Sequence, residues 1–393
     1  MIDSRVKFDF GDTAVAFSSK SDKELRRMNL LFTGMNQPVL VKTGTYLLRI
    51  GLKLKLPLKK IIKSTVFGHF CGGESIQDCA QTIDGLKKDG ISAILDYSAE
   101  GEKSPAGFDK NKEEMLKVVE AAAEAGLPFC VVKLTGFAAL DMMARIQAGK
   151  PQDDDQDRFE KLKGRLDAIA ERVAQKGLRL LIDAEETWIQ KVIDDLAYDL
   201  MKKYNMEGPV IYTTYQMYCH ASLGNLKKAH KALNAEGYYL GAKIVRGAYM
   251  EKERDRAEEL GYPDPIQPDK AATDRDYDLA LAYCVEHLNG ISFVAGTHNE
   301  ASSEHLAQLM DKEGVSPTDE RIYFSQLYGM SDPISYTMAK HGYNVAKYLP
   351  YGPVEKVMPY LVRRAEENTS IAGQASRELQ MIRKEIKRRK ILA

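Results

Sequence analysis

The sequence predicts an α/β fold, a (β/α)8 TIM barrel set between a helical N-terminal arm and a helical C-terminal tail. Three observations predict it. From residue 91 onward, eight short runs rich in β-formers alternate with segments of helical periodicity. Most of those runs end in a polar or charged side chain, where barrel strands hand over to their loops. Neither GxGxxG nor a Walker A loop occurs, which weakens the competing open doubly wound sheet.

Taken in order, residues 1–63 read as a mostly helical, basic arm. No acidic residue lies between Glu24 and Glu74, while Lys42, Arg49, Lys53, Lys55, Lys59, Lys60 and Lys63 do. Within it, Leu52, Leu54, Leu56 and Leu58 alternate with lysines at period two, and Pro57 interrupts them. Two readings stay open: attachment to an anionic membrane surface, or packing of the leucines on the main domain. The barrel is expected over 64–371, with strands at 91–96, 128–133, 178–183, 210–214, 239–245, 291–295, 322–324 and 343–348. A ninth extended candidate, 66–70, belongs to the lead-in. Helical periodicity marks 112–125, 159–176 and 223–237 between strands. The acidic run Asp153-Asp154-Asp155-Gln156-Asp157 lacks the glycine and glutamate of a calcium loop and suits the start of the next helix. From about 372 a basic helix forms the tail, with Leu379, Ile382 and Ile386 on one side.

Composition narrows the function. The chain has 393 residues, 44% hydrophobic and 28% charged, enough for a large core, and its formal charge is zero, which argues against nucleic acid as a partner. Five cysteines form no CxxC pair and no zinc spacing, so they read as reduced thiols. With no apolar run long enough to span a bilayer and no leader evident, the expected location is cytoplasmic, peripheral at the inner face of the cell membrane.

The chemistry collects at the predicted strand ends: Lys133; Asp183-Ala184-Glu185; Gln216; Lys243 with Arg246-Gly247-Ala248-Tyr249; Thr297-His298-Asn299; Gln326-Leu327; and Tyr348. Each has a plain alternative, since Lys133 can snorkel and Asp183 can cap a helix. Together they form a donor-rich set suited to an anionic ligand or a phosphate-bearing cofactor. No Ser-His-Asp or Cys-His set and no carboxylate cluster for a metal is seen. Beyond Tyr348 and the Gly352-Pro353 break, Tyr360, Arg363, Arg364, Glu367 and Asn368 fall on one helical face. Two guanidinium forks there match a substrate carboxylate. Pro359 lacks a backbone donor, so the helix is expected to start or kink at it.

These pieces carry a resemblance. VVKLTG (131–136), LLIDAEE (180–186), TTYQMY (213–218), KIVRGAY (243–249), THN (297–299), FSQLYGM (324–330) and YLPYG with MPYLVRRAEEN (348–368) occur in the order seen in the proline dehydrogenase family. The resemblance implies a distorted (βα)8 barrel that holds FAD without a covalent bond. It implies oxidation of L-proline to Δ1-pyrroline-5-carboxylate by hydride transfer to flavin N5, with a membrane quinone as acceptor. By similarity Arg363, Arg364 and Lys133 bind the proline carboxylate, and Tyr249, Leu327, Tyr348 and Tyr360 wall the ring. Lys243 lies beside N5, and Asp183 is the carboxylate next to the redox centre. Ala184, Gln216, Arg246, Gly247, Ala248, Thr297, His298 and Asn299 contact the cofactor, and Glu367 ties the last helix to the flavin or to an arginine. With no second catalytic domain in view, a monofunctional enzyme is expected. A hydroxyproline dehydrogenase of the same family, a Schiff-base aldolase using Lys133 and a non-catalytic peripheral membrane protein are the alternatives.

Overall fold

The structure is a computed structural model and describes residues 6–37, 59–97, 102, 104–370 and 374–391. Eight strands, β1 (Ile91–Tyr97), β2 (Phe129–Val132), β3 (Arg179–Ile182), β4 (Ile211–Gln216), β5 (Leu240–Val245), β6 (Ile291–Gly296), β7 (Ile322–Leu327) and β8 (Val345–Tyr351), close in sequence order into one barrel. The pairs from β1 to β7 are parallel. This is the predicted fold. In β2, β4 and β8 every residue is buried, as expected for strands covered on both faces.

By its contacts the chain divides into two compact units. One takes in 93–96 and 101–325, so most of β1 to β7; the other takes in 8–92, 97–100 and 326–393. The described helices of eight residues or more are, in chain order, α1 (Asp22–Met35), α2 (Ile76–Lys88), α3 (Pro105–Glu124), α4 (Leu140–Gln147), α5 (Asp155–Gln175), α6 (Thr187–Tyr204), α7 (Ser222–Ala235), α8 (Met250–Leu260), α9 (Lys270–Glu286), α10 (Glu300–Lys312), α11 (Asp332–Lys340), α12 (Val354–Ser370) and α13 (Gln374–Arg388).

In the first unit, the N-terminal ends of the strands are closed by aromatic stacking. The Arg179 guanidinium lies 5.5 Å from the Phe129 ring centre and 5.7 Å from that of Tyr323. Gly241 is glycine because a Cβ there would run into the Ile211 carbonyl and the Tyr212 ring. The acidic run does open a helix, with Asp155 and Asp157 in the first turn of α5. Asp155 does more than favour the helix dipole. It is fully buried, accepts from Arg145 Nε and Nη2 at 2.7 Å each, and accepts from the Gln152 amide at 2.9 Å. The insert is thus fastened to α4.

In the second unit, α1 begins with a capping box between Ser21 and Glu24. The tail helix α13 packs inward: Leu379, Met381 and Ile382 share a core with Phe17, Leu25, Met28 and Phe32, and Ile386 packs against it. The extended reading of 66–70 is corrected. The chain there forms a π turn, Lys63–Phe67, and a short helix, Gly68–Phe70. Phe67 and Phe70, both buried, stand three apart, which is helical spacing. Residues 51–58 of the alternating Leu/Lys run lie outside the described residues. Lys59 and Lys63 are described, and both pair with Glu74, at 2.8 and 2.7 Å.

Candidate active site

Register builds the centre of the site in the first unit. Val132 aligns with Ile182, Ile182 with Thr213, and Thr214 with Lys243. Carrying the first two alignments one residue further puts Lys133, Asp183, Thr214 and Lys243 in one row. Residues aligned across parallel strands project to the same side. The Lys133, Asp183 and Lys243 side chains therefore meet although they come from three of these four strands. Lys133 Nζ donates to Asp183 Oδ2 at 2.6 Å, and Lys243 Nζ donates to Asp183 Oδ1.

The charges follow from that geometry. Burial pushes the Asp183 carboxyl up, but the charges of Lys133 and Lys243 outweigh it and hold the group down at about 2. Burial also opposes the Lys133 ammonium, yet Asp183 raises it well above the ordinary lysine range. For Lys243, burial together with the Lys133 charge wins over Asp183 and lowers the group. Two lysines thus share one carboxylate. The Lys243 side chain is 8% exposed and that of Lys133 28%, so Lys133 is the one that keeps an open side.

Around this centre the other predicted residues sort into two groups. Gln216, buried at the end of β4, donates from Nε2 to the Glu185 carbonyl at 2.8 Å, and Ala184 is buried beside it in sequence. Arg246, after β5, donates to Asp274 Oδ1 at 2.7 Å, Thr297 Oγ1 at 2.8 Å and Ser302 Oγ at 2.9 Å. Its guanidinium also sits 4.3 Å from the Tyr277 ring centre. Gly247 has φ +133°, and a Cβ there would stand 2.5 Å from the Tyr218 ring, so the turn requires glycine. Gly247 and Ala248 are exposed and Tyr249 is half-buried. His298 is half-buried in the loop after β6, while the Asn299 side chain accepts from the Ser302 amide at 3.1 Å as the N-cap of α10.

In the second unit, Tyr348 is buried in β8. Tyr360 of α12 belongs to an apolar cluster with Met330, Met358 and Leu361, and Leu327 packs against that cluster. Helix α12 starts at Val354, ahead of Pro359, and runs through it, so of the two expectations a start at the proline gives way to an earlier one. It carries Arg363, half-buried, and continues through Arg364 and Glu367, whose side chains lie outside the described ones.

Two contacts escaped sequence reasoning, which named Glu185 at a strand end without a partner and gave Lys347 no role. Glu185 is buried, and its carboxylate accepts from the Thr135 amide at 3.0 Å and from the Thr135 hydroxyl. Lys347, next to Tyr348, is wholly buried and donates at 2.7 Å to both the Met330 carbonyl and Asp332 Oδ1. The only sequence signal for either was a charged residue inside or just past a strand run.

A parallel barrel with a charged, largely buried cluster at the C-terminal strand ends has the build of an enzyme. The family is given by comparison. The family model described as proline dehydrogenase matches residues 79–377, and the chain belongs to the proline dehydrogenase family. It is 38% identical over 364 residues to the mitochondrial proline dehydrogenase 1 of Caenorhabditis elegans, covering 88% of this chain and 57% of that protein. It is 30% identical to the hydroxyproline dehydrogenase of Xenopus laevis, covering 97% and 90%. In fold it is similar to proline utilization A of Bdellovibrio bacteriovorus inactivated by N-propargylglycine, with TM-score 0.73, 20% identity and coverage of 97% of this chain and 42% of that one.

Proposed function

We propose that the chain is an FAD-dependent dehydrogenase that oxidises L-proline to Δ1-pyrroline-5-carboxylate and passes the electrons to a membrane quinone. The observation that carries this reading is the shared carboxylate: Lys133 and Lys243 both donate to Asp183 at the strand ends, and Lys133 keeps an open side. An ammonium held there with an open side suits an anionic partner, and proline brings a carboxylate. The family supplies the rest of the argument.

The residues present suit a flavin. An arginine has five N–H donors, and among the described residues Arg246 commits three of them to Asp274, Thr297 and Ser302. The exposed Gly247-Ala248 turn lets a ligand approach the backbone. Ala184, Gln216, Lys243, Arg246, Gly247, Ala248, Thr297, His298, Asn299 and Glu367 are assigned to holding FAD. When bound, FAD supplies the hydride acceptor. Asp183 favours the charged form of Lys133 and orients both lysines. In the first unit Lys133 is assigned to the substrate carboxylate and Tyr249 to the ring. In the second, Arg363 and Arg364 are assigned to the carboxylate, and Leu327, Tyr348 and Tyr360 to the ring. These groups orient the substrate and exclude water from it.

Among the described residues no helix is long and apolar enough to cross a membrane. We assign the approach to a quinone-bearing, anionic membrane surface to the basic arm, at the inner face of the cell membrane. Because Lys59 already pairs with Glu74, charge reversal at Lys53 and Lys55 is the cleaner probe. Sedimentation with anionic vesicles should fall; unchanged sedimentation removes the membrane role.

The visible spectrum of the purified protein tests the main reading. A two-banded flavin absorption that bleaches on anaerobic addition of L-proline is expected, with the product trapped by o-aminobenzaldehyde. A colourless protein that borohydride links to a carbonyl substrate at Lys133 would replace it with the aldolase reading. Lipid binding with neither flavin nor turnover would replace it with the non-catalytic one.

A further inference from the structure

Lys133 reaches Asp183 on a flexible four-carbon stem, and its ammonium can swing unless the backbone beneath it is fixed. Lys133 stands just past the end of β2, where it caps the short 3-10 turn Leu134–Gly136. Its carbonyl accepts from the Gly136 amide at 3.0 Å, and a side-chain tie two residues on comes from the next strand. Glu185 Oε1 accepts from the Thr135 amide at 3.0 Å, and Glu185 Oε2 accepts from the Thr135 hydroxyl. Glu185 is itself anchored on both backbone sides. Its amide donates to Gln190 Oε1 at 2.9 Å, and its carbonyl accepts from Gln216 Nε2 at 2.8 Å. One buried residue therefore joins the ends of β2, β3 and β4, through its carboxylate to Thr135 and through its carbonyl to Gln216, two residues beyond Asp183 on one strand and two beyond Lys133 on the other.

We propose that Glu185 is a positioning residue that grips Thr135 and thereby sets the Lys133 ammonium against Asp183. The proposal deepens the functional reading above, since it concerns the lysine assigned there to the substrate carboxylate. Its place at the Lys133 end of the turn separates it from a general structural role. The rest of the 134–137 turn is held by other groups: Asn111 Nδ2 donates to the Gly136 carbonyl at 2.8 Å, and Arg165 Nη1 donates to the Phe137 carbonyl at 3.1 Å. Losing the Glu185 grip should therefore leave the turn folded and loosen only its Lys133 end. Burial pushes the Glu185 carboxyl up to about 7, against the Lys133 charge and Thr135's two donors, which favour its charged form.

The test uses the holoenzyme and three variants: Glu185→Gln, Thr135→Val and Thr135→Ser. Thr135→Val keeps every charge and removes only the hydroxyl, while Thr135→Ser restores it. In Glu185→Gln and Thr135→Val, KM for proline should rise about tenfold, the equivalent of losing one hydrogen bond to a charged group, with kcat changed far less. Thr135→Ser should stay near wild type. In a Lys133→Met background neither substitution should raise KM further, because the effect passes through the lysine. A second readout needs no turnover. Acetylation of Lys133 by an N-hydroxysuccinimide ester, followed by mass spectrometry, should be several times faster in Glu185→Gln and Thr135→Val, with exposed Lys191 as the internal standard.

Effects that multiply in the Lys133→Met background, or Lys133 labelling that does not change, overturn the proposal. A change confined to Glu185→Gln overturns it too, because charge and not position would then be acting. Should Glu185→Gln fail to fold, Thr135→Val decides. A wild-type protein that leaves proline untouched sinks the functional reading instead, and the labelling still decides this one.

Discussion

The Lys133 ammonium donates to Asp183 Oδ2 at 2.6 Å, although 50 positions separate the two residues. Strand register makes the meeting: Asp183 donates its own amide to the Val132 carbonyl at 2.9 Å, locking the two strand ends side by side. Lys243, brought by β5, takes the other carboxylate oxygen. The centre is thus a three-strand product, and its middle member is the one whose loss should be felt most.

Replacing Asp183 with alanine would leave two buried ammonium groups facing each other. Breaking a buried pair in this way costs about 3–5 kcal/mol, and the urea midpoint should fall accordingly. The pH dependence has a definite sign. Asp183 is held near 2 in the folded chain against an ordinary 3.8, so its contribution is present above pH 4 and lost as pH falls toward 2. Stability measured across that window should decline less steeply in Asp183→Asn than in wild type. Equal slopes would mean that Asp183 is not the titrating group.

Much of this was legible beforehand. The eight strand runs announced themselves because buried parallel strands are short, apolar and bounded by polar ends, and Lys133, Asp183 and Lys243 could be read off those ends. The sequence could not say which carboxylate of the Asp183-Ala184-Glu185-Glu186 run turns toward which strand, because that depends on register across β2, β3 and β4. The 66–70 error has a local cause. Thr65-Val66-Phe67 favours extended chain, but the Phe67 and Phe70 rings bury together only on a helical turn. The function came from motif resemblance; alternation alone would have left a barrel with a donor-rich rim.

Lys347 and Asp332 form a second buried charge pair, in the other unit, at 2.7 Å. Burial pushes the Asp332 carboxyl up, and Lys347 with Lys20 outweighs it, holding the group at about 2. Lys347→Met should cost about 3–5 kcal/mol in stability, because Asp332 is left with Lys20 at 3.6 Å as its remaining described cation. Adding Asp332→Asn should recover part of that loss, measured as thermal or urea midpoints of the single and double variants. A double variant no more stable than Lys347→Met alone would show that the lost carbonyl contact at Met330, and not the stranded charge, dominates.

The arginine pair on α12 is assigned to the substrate carboxylate. Arg363→Met or Arg364→Met should each lower kcat/KM for proline by about 2–5 kcal/mol of transition-state binding, with flavin content largely retained. Steady-state kinetics beside the visible spectrum check both halves. If both variants keep wild-type kcat/KM, this face of α12 carries no substrate contact.

The final prediction concerns which ring is accepted. Tyr348 is buried in β8, just ahead of the Gly352-Pro353 break that opens α12. Its ring is assigned to the substrate carbons farthest from the carboxylate. A hydroxyl on carbon 4 would need space there and a hydrogen-bond partner, and burying it without one costs about 1–3 kcal/mol. A bulky tyrosine at this position therefore favours L-proline over trans-4-hydroxy-L-proline by about 10–200-fold, since contacts of this kind rarely discriminate more. The question is a real one, because the chain is 30% identical to a hydroxyproline dehydrogenase from Xenopus laevis. Tyr348→Ser should open the space, lowering kcat/KM on proline and narrowing the gap between the two substrates. Kinetics on both substrates decide it: a wild type that prefers hydroxyproline reverses the substrate assignment while leaving the barrel and its lysine–aspartate centre as they stand.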